Sequence, residues 1–212
     1  MNARVAESEG NGHRYSNANG KGRINMKLCI ADPPYLGKAE MFYGEKKRAN
    51  MNEGGNIAKT FKADIHPDAH IWDRPETHEN MVDELVANYD GWAIAMLPVN
   101  LFHYIQWVPS STRIAVWHDP NVMPTGSHPR RRWEAVLVSV PIGRKRINDV
   151  QTHVGDVLTV SHGSGSFAGA KPPAWTRWVL DMLGYDSELD TVDDLFEGSG
   201  AVAKEIAQGV LL

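Results

Sequence analysis

The sequence predicts an α/β protein built on a doubly wound, mostly parallel sheet, and three observations predict it. Short apolar runs of strand length alternate with segments of helical period along the chain. Two of those runs end in polar, loop-forming residues, Asp32-Pro33-Pro34-Tyr35 and Gly198-Ser199-Gly200, at the carboxyl ends of strands where such sheets open a ligand crevice. Finally, 212 residues with 42% hydrophobic content can bury one sizeable core but are short for two.

Residues 1–24 are rich in Gly, Asn, Ser and charge, so they are expected to form a disordered leader. Residues 25–212 are expected to form a single domain. From Met26 an apolar run leads to Asp32, where two prolines remove backbone donors and forbid a helix, which predicts a buried strand that stops abruptly. A loop-rich insert over 36–76 follows. Over 77–89, Met81, Leu85 and Tyr89 recur four apart with Val82 and Val86 beside them, the pattern of an amphipathic helix. Residues 92–97 predict a fully buried strand, and a helix over about 99–107 ends near Pro109. Two further strands, 114–117 and 133–140, flank a turn-rich segment holding Pro120, Pro124, Gly126 and Pro129. A second loop-rich insert, 141–170, leads to Lys171-Pro172-Pro173 and a helix over 174–183 that ends at Gly184. Residues 191–196 predict a strand, 198–200 a turn, and Ala201 onward a helix.

Composition narrows the function classes. No run approaches the roughly 18 apolar residues of a membrane span, and no signal peptide is visible, so a cytoplasmic protein is expected. The single cysteine, Cys29, cannot form an internal disulfide and lies inside the first predicted strand as a small hydrophobe. A net charge of -4 argues against indiscriminate polyanion binding and leaves nucleic-acid contact to local basic clusters.

Two motifs carry the chemistry. Before the last helix, an acidic residue leads into glycines that let the backbone turn tightly and approach a ligand beside unpaired N–H groups. It is not a P-loop, because Gly-Lys-Ser/Thr is missing. The Asp32-Pro33-Pro34-Tyr35 tetrapeptide suits methylation of an exocyclic amine. Such a nitrogen is a poor nucleophile because its lone pair is delocalised into the ring. A carboxylate and a backbone carbonyl that accept both N–H bonds favour a pyramidal nitrogen whose lone pair faces the methyl donor. Asp32 and the Pro33 carbonyl can accept them, the prolines hold that carbonyl rigidly, and Tyr35 offers a ring for stacking a flipped base, worth about 1–3 kcal/mol.

The tetrapeptide resembles the catalytic motif of S-adenosylmethionine-dependent DNA amino-methyltransferases, and Asp194-Leu195-Phe196-Glu197-Gly198-Ser199-Gly200 resembles their cofactor motif, with Leu195 where the family usually has Pro. Lys171-Pro172 and the helix after it resemble the stretch preceding that motif. With the catalytic motif first and the cofactor motif last, the order is similar to that of the permuted β-class enzymes, over roughly residues 26 to 209. The resemblance implies a Rossmann-like methyltransferase sheet in circularly permuted order. It implies that Asp32, Pro33, Pro34 and Tyr35 hold the target amine, and that Lys171, Pro172, Asp194, Phe196, Gly198, Ser199 and Gly200 face S-adenosylmethionine. The chain stops at Leu212, before the family's next strand and its ribose-binding acidic residue, so incomplete cofactor binding, or completion of the site by a second copy or a partner chain, is expected.

DNA is the expected substrate, with phosphate contacts from Lys46, Lys47 and Arg48 and from the triplets Arg130, Arg131, Arg132 and Arg144, Lys145, Arg146 at opposite ends of the strand 133–140. Adenine N6 is favoured because Asp at position 32 resembles the adenine-specific relatives. The alternatives are cytosine N4 and a non-catalytic nucleic-acid-binding protein descended from such an enzyme. Cytosine C5 is disfavoured, since that chemistry needs a cysteine nucleophile and Cys29 is expected inside a strand. His66, Asp68, His70 and His78 have a spacing that could ligate metal on a helix, but Pro67 interrupts it and no metal is assigned. The helical spacing of Trp175 and Trp178 predicts core.

Overall fold

A computed structural model describes residues 24–44, 66–121, 130–142, 154–162, 170–198 and 200–207. It contains a six-stranded sheet of β1 (Lys27–Ala31), β2 (Gly91–Met96), β3 (Arg113–His118), β4 (Trp133–Ser139), β5 (Val157–Thr159) and β6 (Thr191–Asp194), in the order β5-β3-β4-β2-β1-β6. Strand β1 runs parallel to β2 and β6, and β3 parallel to β5. Only β4 is reversed, antiparallel to both β2 and β3. The helices are α1 (Ala39–Tyr43), α2 (Pro75–Asn88), α3 (Leu101–Tyr104), α4 (Pro173–Leu183) and α5 (Ala201–Ala207), with 3-10 turns over Ala69–Asp73 and Pro98–Asn100.

Alternation along the strands explains the layers. Leu28 and Ile30 of β1 point to one face and pack, with Ala95, Trp117 and Val136, against Trp175, Val179 and Leu183 of α4 and Val202 of α5. Cys29 and Ala31 point to the other face and pack, with Ile94 and Leu137, against Met81, Val82 and Leu85 of α2 and against Tyr104. Because both faces are covered, β2 is buried along its whole length, as its unbroken apolar sequence predicts. Trp175 and Trp178 are core residues, and Cys29 is fully buried within β1.

Several expectations are corrected. The insert 141–170 contains β5, a three-residue edge strand too short to show an alternation of its own. The insert 36–76 contains α1 and the turn Ala69–Asp73. Helix α2 begins at Pro75, whose fixed φ and missing N–H suit the first helical position. Val86 is 45% exposed rather than on the core face, and Tyr89 lies past the helix with its hydroxyl donating to Asp193 at 2.8 Å. The helix expected over 99–107 is a 3-10 turn followed by the four-residue α3. Strand β6 stops at Asp194, because Leu195 and Phe196 already turn.

The reversal of β4 decides which of its ends faces the crevice. Pairing of Trp133 with His118 and of Ala135 with Met96 sets the start of β4 at the carboxyl edge of its neighbours. Arg130–Arg132 therefore lie at the same edge as Asp32 and Asp194. Lys46, Lys47, Arg48, Arg144, Lys145, Arg146 and Ser199 lie outside the described residues.

Candidate active site

Strand β1 ends at Ala31, and its successor Asp32 stands at the carboxyl edge of the sheet. The segment after it is pinned from three sides. The Tyr35 carbonyl accepts from Lys38 N–H at 2.8 Å, the Leu36 carbonyl from Asn100 Nδ2 at 3.1 Å, and Asp73 accepts from the first amides of α1, Ala39 at 2.8 Å and Glu40 at 3.0 Å. Asn100 and Asp73 were not singled out by sequence; each sits in a short turn whose period is too brief to register.

Strand β6 lies directly beside β1, with Asp194 in register with Ile30 and Leu195 N–H donating to the Ile30 carbonyl at 3.1 Å. Phe196 N–H then donates to Asp194 Oδ1 at 3.2 Å, and Gly198 and Gly200 take φ of 41° and 67°, a left-handed backbone that side chains rarely tolerate. The two motifs, distant in sequence, thus finish next to one another. Between them opens a cavity of about 330 Å³ whose wall includes Asp32, Pro34, Lys171, Asp194, Phe196 and Gly198. Pro33 and Pro172 are buried in the adjoining backbone, and Pro172 accepts from Trp175 N–H to start α4.

Lys171 is buried, and its ammonium donates to both oxygens of Asp32, at 2.8 and 2.7 Å, and to the Tyr35 hydroxyl at 3.0 Å. A second carboxylate completes the cluster. Glu134 of β4 accepts from the Tyr35 hydroxyl at 2.7 Å and lies 3.3 Å from the Lys171 ammonium. Glu134 is a residue the sequence reading missed, although a lone charge near the start of the apolar run 133–138 was a visible signal. Burial works against the charge on Lys171, but Asp32, Glu134 and Tyr35 outweigh it and hold the ammonium well above the ordinary lysine range. Burial raises the Asp32 carboxyl, with Lys171 pulling the other way and Glu134 adding repulsion. Burial would raise Glu134 too, yet Lys171, the Tyr35 hydroxyl and Arg131 prevail and its carboxyl lies below the usual range.

Of the first arginine triplet, Arg130 and Arg131 are exposed, whereas the Arg132 guanidinium donates to the Pro120 carbonyl at 2.7 Å. Burial, helped by Asp193 and Asp194, pushes the Cys29 thiol up to about 12, which leaves no thiolate nucleophile at neutral pH. His78 is a core histidine, bonded to the Tyr104 hydroxyl and, at 2.7 Å, to the Trp72 carbonyl. Among the described residues no group of His, Cys, Asp and Glu has the arrangement of a metal site, and no helix is long and apolar enough to cross a membrane.

No family model and no curated protein matches the sequence. Among solved structures, the chain is similar to M1.HpyAVI in its complex with SAM, with a TM-score of 0.51 and 13% identity over 87% of this chain and 78% of that one. A second structure of M1.HpyAVI gives a TM-score of 0.50 and 14% identity over 87% and 77%. At such identity the likeness is one of fold, and it extends over most of both chains. The chain has the doubly wound, Rossmann-like α/β fold found in M1.HpyAVI.

Proposed function

We propose that this chain is an S-adenosylmethionine-dependent DNA methyltransferase that modifies an exocyclic amino group, adenine N6, on a base turned out of the duplex. The observation that carries the reading is the shared cavity, because a carboxylate able to grip an amine and a glycine turn able to approach a nucleoside line the same 330 Å³ space. That volume lies near the lower end of the roughly 300–1,000 Å³ typical of small-molecule sites. The likeness of fold to a protein solved with SAM supports the choice of cofactor.

The residues present fit that cofactor. Two residues of the cavity wall, Trp175 and Thr176, keep a buried indole N–H and a buried hydroxyl with no hydrogen-bond partner among the described residues, the kind of polar group a ligand satisfies. Asp194, Phe196 and Gly198 of the cavity wall, with Gly200 just beyond, would hold the adenosine end, and Lys171 closes the wall beside them. When bound, S-adenosylmethionine supplies a methyl group on cationic sulfur, which keeps the bonding pair as the methyl leaves.

The chain's own residues prepare the acceptor. Asp32 and the Pro33 carbonyl accept the two N–H bonds of the amine, which pyramidalises the nitrogen and turns its lone pair toward the methyl. As the new N–C bond forms, positive charge grows on that nitrogen beside Asp32, and the surplus proton leaves through the carboxylate to water. Tyr35 presents its ring to the base, and the exposed Arg130 and Arg131 at the crevice edge contact phosphate.

One observation favours a second reading. Both oxygens of Asp32 are engaged by Lys171, as in a site retired from catalysis to nucleic-acid binding. Transfer of tritiated methyl from S-adenosylmethionine to unmethylated DNA, followed by nucleoside analysis, separates the readings. The expected label is N6-methyladenine from the wild type and none from Asp32→Ala. Label on cytosine would overturn the base assignment, and DNA retention without any label would establish the binding protein.

A further inference from the structure

Lys171 poses a physical problem for the proposed reaction. Its ammonium donates to Asp32 Oδ1, Asp32 Oδ2 and the Tyr35 hydroxyl, so an incoming amine has to compete for Asp32 with a cation that already engages both carboxylate oxygens. The ammonium cannot withdraw to solvent, since its side chain is only 5% exposed and the rings of Tyr35, Trp117 and Trp175 stand 5.5 to 5.7 Å from it. A buried cation without a partner is strongly unfavourable. Glu134 offers a second seat, 3.3 Å from Nζ, close enough for ionic attraction and longer than a good charged hydrogen bond. The Tyr35 hydroxyl spans the two seats, donating to Glu134 and accepting from Lys171.

We propose that Glu134 is a positioning residue that takes Lys171 from Asp32 when the acceptor amine arrives, so that the ammonium stays paired while the catalytic carboxylate is freed. The inference rests on the methyltransferase reading and deepens it, since it makes the acceptor side a two-position device. In the resting position Asp32 is guarded. In the working position Lys171 and Tyr35 both bind Glu134, and the amine replaces the ammonium on Asp32.

The charged and titratable groups facing Asp32 are Lys171 ahead of α4, Glu134 on β4, Tyr35 in its own loop, Tyr43 on α1 and Asp194 on β6. Of these, Glu134 is removed by E134Q, which keeps the side-chain shape and an acceptor for Tyr35. With Glu134 neutral, Lys171 belongs to Asp32 alone. Titration of the Asp32 carboxyl by carbon NMR, its signal assigned by loss in D32N, then gives a lower midpoint in E134Q than in the wild type. Turnover falls on the order of tenfold with KM for DNA and cofactor little changed, the mark of a displaced positioning contact. E134D keeps the charge on a shorter arm, holds the Asp32 midpoint near the wild-type value and recovers most of the turnover.

An Asp32 midpoint that does not move in folded E134Q overturns the inference, as does an E134D enzyme as slow as E134Q. If the wild type transfers no methyl at all, the proposed function falls, while the Asp32 midpoint still decides whether Glu134 and Asp32 compete for one cation.

Discussion

The two sides of the cavity are built on different principles. On the side of the proposed amine acceptor, Asp32, Tyr35, Glu134 and Lys171, drawn from three segments of the chain, interlock through contacts of 2.7 to 3.3 Å. On the glycine side, Asp194 holds the next turn through Phe196 N–H, while Leu195, Glu197 and Gly198 are exposed. One side is a closed charge network of buried carboxylates around a buried ammonium. The other is a backbone cradle that a ligand only has to fill. Losses on the first side should therefore appear in stability and turnover, and losses on the second in cofactor affinity.

The largest expected effect is on turnover. Asp32→Ala removes the proposed acceptor of the amine N–H and should lower methyl transfer by at least about 10²–10³-fold, with cofactor affinity by calorimetry nearly unchanged. Loss of cofactor binding in that variant would break the separation between the two sides.

Next is stability. Lys171→Met leaves the Asp32 and Glu134 carboxylates facing one another with side chains only 26% and 10% exposed, which should cost about 3–5 kcal/mol by urea denaturation at pH 7. The cost should shrink at pH 5, because two carboxylates without their cation bind a proton more readily. A penalty independent of pH would mean that packing, rather than charge, is what Lys171 supplies.

Asp194→Ala tests the opposite side. Loss of a carboxylate contact should weaken cofactor binding by about 10–100-fold, with a melting temperature close to the wild type. A melting temperature lowered as far as that of Lys171→Met would show that the glycine side is also a structural network.

The smallest effect concerns pH. His78 is buried and held neutral, with burial lowering its pKa below the ordinary 6.5. The unfolded chain therefore takes up a proton first as pH falls below about 6.5, so stability declines from there downward, by no more than about 1.4 kcal/mol per pH unit. Trp72 stacks edge-to-face on both His78 and Phe196, with ring centroids 5.2 and 5.0 Å apart, so the glycine side should feel the loss first. His78→Gln should flatten this limb of the stability curve.

Much of this arrangement was legible in the sequence because it is local. The strand that stops just before Asp32, the helix capped by Gly184 and the glycine turn each announce themselves by period or by a residue with one conformational use. The parts that were not legible depend on pairing. Strand β5 exists because β3 offers an edge, and Val157–Thr159 carries too few residues to declare it. The reversal of β4, which brings Arg130–Arg132 and Glu134 to the crevice, cannot be read from an apolar run whose pattern is the same in either direction. Lys171 was read as a cofactor contact, and it lines that cavity, but the burial of its ammonium between two carboxylates is a property of three distant segments.

A crystal structure of the chain with S-adenosylhomocysteine decides whether the cavity between Asp32 and Gly198 is the cofactor site. The expected result is a ligand inside the cavity bounded by Asp32 and Gly198, with Trp175 or Thr176 within hydrogen-bonding reach. A ligand bound elsewhere, or a bound form in which Asp32 and Gly198 no longer share a cavity, would contradict it.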